Sequence, residues 1–256
     1  MKRKAMMMAA PVLGLGLALA GAMPAMADHA MGSYAATLNQ INNSGASGEV
    51  WIDVEGSTAT VTLNASGLAE TFNGAAYPHV QHIHVGAQGV CPGTEVDANG
   101  DGIISTTEGA GSYGGIGTTL SVGGADKSPN AGVDVTVAPS GSTITYKETF
   151  ELNQETQDSL ANGTAVVVVH GLDPATQPAG ATAPSDLVPE LPLAATSPAL
   201  CGTLAMQPAG HADTGVAPVG STTGGVENGM LALGGVLGAA ALGGAFVLGR
   251  RSTATR

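Results

Sequence analysis

Glu49-Val50-Trp51-Ile52-Asp53-Val54 and, after a short break, Thr58-Ala59-Thr60-Val61-Thr62-Leu63-Asn64 alternate apolar and polar residues with a period of two. On extended strands that pattern places Val50, Ile52 and Val54 on one face, and Ala59, Val61 and Leu63 on one face. Val133, Val135 and Val137 repeat it. Further candidate strands cover residues 34–39, 80–85, 118–122, 133–138, 143–152, 165–170 and 200–205, with glycine and Asn/Asp clusters between them. Only residues 153–162 read as a short helix, with Gly163 as its stop. The expected class is all-β, a sandwich or barrel.

Three histidines sit on these strands. His82 and His84 flank Ile83, so both imidazoles project from one face. His170 ends the apolar run Ala165-Val166-Val167-Val168-Val169. Two imidazoles from one strand and a third from another suit copper or zinc. His79, three residues before His82, faces the other side and reads as a structural hydrogen-bonding residue. His29 and His211 read as solvated.

The two ends carry targeting signals. Lys2, Arg3 and Lys4 precede an apolar stretch and Ala25-Met26-Ala27, so residues 1–27 read as a signal peptide. Residues 230–248 form an uncharged apolar run of 19, followed by Arg250, Arg251 and Arg256. Residues 230–249 are the expected transmembrane anchor, 250–256 a cytoplasmic tail, and 207–229 a flexible stalk. The expected protein is exported, with residues 28–206 as one β domain on the outer face of the membrane.

The exported part carries all 20 acidic residues and only two basic ones, Lys127 and Lys147. No arginine lies between Leu13 and Gly249. That balance excludes nucleic acid as a partner and favours cations. Cys91 and Cys201, the only cysteines, read as a disulfide in an exported chain.

Asp97-Ala98-Asn99-Gly100-Asp101-Gly102-Ile103-Ile104-Ser105-Thr106-Thr107-Glu108 fits a twelve-residue calcium loop. Asp97, Asn99 and Asp101 would offer side-chain oxygens, Ile103 its carbonyl, Ser105 a direct or water-mediated contact, and Glu108 both carboxylate oxygens. Pro92 and Gly93 before it, and four glycines after it, argue against flanking helices. The expectation is a structural ion pinning a long loop.

His79-Val80-Gln81-His82-Ile83-His84, Gly89-Val90-Cys91, Val167-Val168-Val169-His170-Gly171 and Ala199-Leu200-Cys201-Gly202 together resemble the copper/zinc superoxide dismutase family. The resemblance implies a Greek-key β-barrel of eight strands, copper on His82, His84 and His170, and a Cys91–Cys201 disulfide. The chain also resembles CHRD-domain proteins in its His-Ile-His strand and late Val-x-Val-His strand. No histidine lies between His84 and His170, where the dismutase family keeps its bridging and zinc histidines. Zinc is therefore not expected, and the resemblance implies a copper-only site. Where that family has an arginine, three residues before the last cysteine, this chain has Pro198. The two functional expectations are a copper-only dismutase and a non-enzymatic surface module held by calcium and a disulfide.

Overall fold

A computed structural model of the protein describes residues 31–208. The expected signal peptide, membrane anchor and tail, and the expected stalk from residue 209 on, lie outside the described residues, as do His29 and His211. Among the described residues no helix is long and apolar enough to cross a membrane.

Eleven strands form on the described residues. They are β1 (Gly32–Gln40), β2 (Ser47–Glu55), β3 (Thr58–Ser66), β4 (Thr71–Phe72), β5 (Ala75–Ala76), β6 (Gln81–Val85), β7 (Gly115–Thr119), β8 (Thr143–Glu151), β9 (Val166–His170), β10 (Pro198–Thr203) and β11 (Ala205–Met206). Three short helices join them: α1 (Thr106–Tyr113), α2 (Gln154–Ala161) and α3 (Leu193–Thr196).

The main sheet runs β7-β6-β9-β10-β1-β2-β3-β8, with β11 also on β1, while β4 and β5 pair separately. Neighbours are antiparallel throughout. The sheet curls so that its two halves share one core. Val50, Ile52, Val61 and Leu63 from one half pack in the same cluster as Ile83, Val167, Val169 and Leu200 from the other. The halves join at the end of β1, where Asn39 and Gln40 pair with Cys201 and Leu200.

β9 returns to lie beside β6, with β7 on the other edge of β6 and β8 at the far end of the sheet beside β3. The expected closed barrel is corrected in one respect: β7 and β8 end the sheet and do not pair with each other. The expected strand at 133–138 lies in that gap and is not a strand. Val135–Val137 is a turn of 3-10 helix instead. Asp134 accepts a hydrogen bond from Thr136 N, closing the turn, and this local bond competes with sheet pairing. Val133 and Val135 are left exposed.

A second correction concerns the calcium-like stretch. Residues 106–113 form α1, although the neighbouring glycines argued against a helix. Ser105 caps it: its side chain accepts from Glu108 N while the Glu108 carboxylate accepts from Ser105 N. This reciprocal pair satisfies two helix-end donors, enough to start a helix that glycine would otherwise disfavour. Asn153 likewise caps α2. At the far end, Gln207 N donates to Ser33 O, so the expected stalk begins on chain still held to β1.

Candidate metal centre

The register of β6 and β9 assembles the centre. His82 lies opposite Val168 and His84 opposite Val166. Val167, Val169 and Ile83 point into the main core, and Val166 and Val168 pack on the other face against Tyr113 and Cys201. Alternation then sends His82, His84 and His170 to that second face. This also explains why the run 166–169 is uniformly apolar: both faces of β9 are buried.

The three side chains are 2–3% exposed. One ring nitrogen from each lies within 4.8 Å of the other two. Ring centroids are 5.4 Å apart for His82–His84, 5.1 Å for His82–His170 and 5.9 Å for His84–His170.

The remaining nitrogens are each committed. His82 Nε2 is 2.9 Å from Gly132 O, His84 Nδ1 is 2.9 Å from Gly114 O, and His170 Nδ1 is 2.7 Å from Thr196 O. A carbonyl oxygen only accepts, so each facing nitrogen carries the proton. In a neutral ring the other nitrogen then holds a lone pair. Those atoms, His82 Nδ1, His84 Nε2 and His170 Nε2, are buried with no hydrogen-bond partner. Buried polar atoms are rarely left so. Three of them converging is what a metal-ligand set requires, with the carbonyls fixing tautomer and ring orientation.

The electrostatics agree. Burial holds His82 well below the ordinary histidine value, with His170 and His84 beside it adding to the effect. Burial takes His84 down to about 4, against the opposing pull of the Gly114 carbonyl. Burial, then proximity to His84, takes His170 to about 3. All three are neutral at pH 7, the form that binds a transition metal.

The supports come from three connections, β6 to β7, β7 to β8 and β9 to β10. Tyr113, at the end of α1, lies edge-on to His84 with centroids 4.5 Å apart. Its hydroxyl donates to Thr106 O. Thr106 Oγ1 donates to Thr196 O, the carbonyl that holds His170, and lies 3.3 Å from His170 Nδ1. Gly114 adopts φ 93, and a Cβ there would sit 1.9 Å from Val85 O. Only glycine permits the turn that brings its carbonyl to His84. At Gly132 a Cβ would lie 2.4 Å from Ile116 Cδ1, so the backbone approaches His82 only because no side chain intervenes.

Cys91 and Cys201 form a disulfide, with Cα atoms 5.8 Å apart. It ties the segment that carries α1 to β10 and so to the sheet beneath the histidines. His79 stands apart from the triad. Its Nδ1 is 2.9 Å from His170 O and its Nε2 2.9 Å from Ala69 O. Pro198 pairs with His170 across β9 and β10. The position where the dismutase resemblance puts a cation is thus beside the centre, and it carries none.

The calcium-like residues do not converge in this way. Among the described residues the triad is the one group of three or more His, Cys, Asp or Glu side chains gathered closely enough for a metal. Asp97 accepts from Gly100 N and Gly102 N. Asp101 accepts from Ile103 N and Asn99 Nδ2. Glu108 accepts from Ala98 N and Ser105 N. Asn99 Oδ1 accepts from Asp101 N, and Ser105 Oγ donates to Asp186.

Sequence reasoning missed the second layer: the carbonyls of Gly114, Gly132 and Thr196, and the ring of Tyr113. Backbone carbonyls leave no residue-type signal. Ser105-Thr106-Thr107-Glu108 does carry one, the Ser-x-x-Glu spacing that starts α1.

No protein-family profile matches the chain, and no curated protein does. Neither the dismutase nor the CHRD resemblance is therefore carried by a family match. Among solved structures, the chain is similar to superoxide dismutase 5 of Candida albicans in its Cu(II) form. Identity is 13%, covering 73% of this chain and 99% of that one, with a TM-score of 0.38. It is also similar to a glutamate-to-glutamine mutant of the same Candida albicans protein, at 15% identity, 73% and 99% coverage and a TM-score of 0.36.

Proposed function

We propose that this chain is an exported copper-binding protein with one site on His82, His84 and His170, of the copper-only superoxide dismutase type. One observation carries the reading: three buried ring nitrogens converge without partners while their opposite nitrogens are each held by a carbonyl. A thiolate-free set of neutral imidazoles suits copper in both oxidation states. A bound copper ion would supply a one-electron couple to a small redox substrate.

The chain's own residues do the rest. Gly132, Gly114 and Thr196 hold the rings in the metal-binding tautomer. Tyr113 and Thr106 brace two of them from α1. The apolar residues above the rings limit water. Among the described residues, no lysine or arginine lines the space above them. Lys127 is engaged by Glu148 at 3.0 Å, and Lys147 is exposed on β8. In dismutation one superoxide loses an electron and a second gains it with two protons, giving dioxygen and hydrogen peroxide. On so acidic a protein, superoxide is repelled at long range, and added salt should raise the rate by screening.

The test is to load the full-length protein with copper, then measure metal stoichiometry and superoxide decay. One equivalent of copper, lost in His82→Ala, with decay that quickens at higher ionic strength, is the expected result. One equivalent without turnover would make the protein a binding module. No uptake by the wild type would sink the copper assignment.

A further inference from the structure

Above the three imidazoles lies a partly enclosed cavity of about 200 Å³, lined by sixteen residues of which none is acidic, lysine or arginine. Its walls include Phe72, Val80, Ile116, Val135, Leu187 and Leu191. The triad lines it too, so its only buried polar atoms without partners are the three ring nitrogens and one more. That one is the hydroxyl of Tyr77, a residue 2% exposed and stacked on Phe72 at 5.2 Å.

We propose that this cavity binds a neutral, single-ring aromatic molecule bearing one hydroxyl. The inference deepens the copper reading and rests on it, because the ligand would lie against the same three imidazoles. Size sets the first limit. A cavity of about 150 Å³ lined by aliphatic and aromatic side chains stays dry and takes up benzene. About 200 Å³ therefore admits a substituted ring but not a fused polycycle.

Charge sets the second limit. No lysine, arginine or carboxylate faces the space, and burying an unpaired charge there is strongly unfavourable. The third argument is Tyr77. Tyr77 lines the cavity and its buried hydroxyl has no partner; leaving it unsatisfied is costly, and a ligand oxygen that reached it would accept its hydrogen bond. Val133, Val135 and Leu187, 38–52% exposed, form an apolar rim through which such a molecule would enter.

The test uses p-cresol, toluene and benzoate with the full-length protein, metal-free and copper-loaded, with binding followed by NMR titration. Saturable binding of p-cresol and toluene to both forms, and none of benzoate to the metal-free form, is expected. Tyr77→Phe should weaken p-cresol about three- to tenfold, one neutral hydrogen bond, and leave toluene unchanged. Val135→Asp, at a partly exposed rim position, should weaken both neutral probes by about tenfold or more while copper uptake stays one-to-one. Absence of saturable binding by either neutral probe, with copper still taken up, overturns the cavity proposal and leaves the copper reading standing. Probe binding without copper uptake overturns the copper reading and, with it, the placement of the ligand at a metal. Equal losses of both probes in Tyr77→Phe overturn the role given to that hydroxyl.

Discussion

His82 Nδ1, His84 Nε2 and His170 Nε2 lie buried and unpartnered, whereas every carboxylate oxygen of Asp97, Asp101 and Glu108 accepts at least one N–H. Both stretches carry ligand-type residues at ligand-type spacing. They differ in what the backbone does around them. At the triad, rigid strands hold the rings, and carbonyls engage only the nitrogens facing away from the centre. In the loop, the backbone turns its own N–H groups onto the carboxylates and the helix cap claims Glu108. The two regions thus differ in how many of their lone pairs the surrounding backbone already engages.

Acid should break this comparison most visibly. An unfolded histidine titrates near 6.5, while folded His84 and His170 stay neutral to about 4 and about 3. The unfolded state thus binds more protons in that window. The contribution to stability is complete above pH 6.5 and is lost as pH falls towards the folded values. His84 alone accounts for roughly 3 kcal/mol. Together the three histidines should unfold the metal-free protein between pH 6 and 4. Thermal melts across pH should show one equivalent of copper moving that midpoint to lower pH. A metal-free protein as stable at pH 4.5 as at pH 7 would contradict the burial of neutral rings.

Removing the disulfide comes next. Cys91 and Cys201 are 110 residues apart, and in the chain-entropy model closing such a loop contributes about 4–5 kcal/mol. Cys91→Ser with Cys201→Ser should lower the melting temperature by roughly 10–15 °C. The bridge also anchors the segment leading to α1, whose Tyr113 lies against His84 and whose Gly114 carbonyl orients it. Copper affinity should therefore fall about tenfold, the range seen when outer-shell support is lost. Loss of stability with unchanged affinity would show that α1 braces the centre without the bridge.

How much of this was legible in the sequence follows from where each signal resides. Alternation at 49–54 and 58–64 located β2 and β3 because one face of each is buried and the register follows. The same alternation misled at 133–138. The pattern puts those valines on one face of a strand, yet Asp134 offers the backbone a competing hydrogen bond and the segment turns. The triad was legible because its spacing matches strand geometry. The cavity above it was not, since Phe72, Tyr77, Ile116, Leu187 and Leu191 come from separate segments that only the fold unites.

The smallest effect concerns the loop, and it can bring the two regions closer together. Asp97, Asn99, Asp101, Ile103, Ser105 and Glu108 retain the chemistry of a calcium cage, since a carboxylate oxygen that accepts one N–H still has a lone pair to offer. Binding would have to draw the carboxylates together and loosen the Ser105–Glu108 cap, so affinity should be in the weak range of extracellular calcium modules, about 0.1–1 mM. At tenfold excess over such a Kd, linkage gives about 1.4 kcal/mol, or a rise in melting temperature of roughly 3–5 °C. Asp101→Ala should abolish the rise. Glu108→Gln should do the same while keeping an acceptor for Ser105 N, which separates the loss of calcium from the loss of α1. A rise that survives both substitutions would place the calcium elsewhere, and a flat response in the wild type would leave the loop a turn whose carboxylates serve only its own backbone.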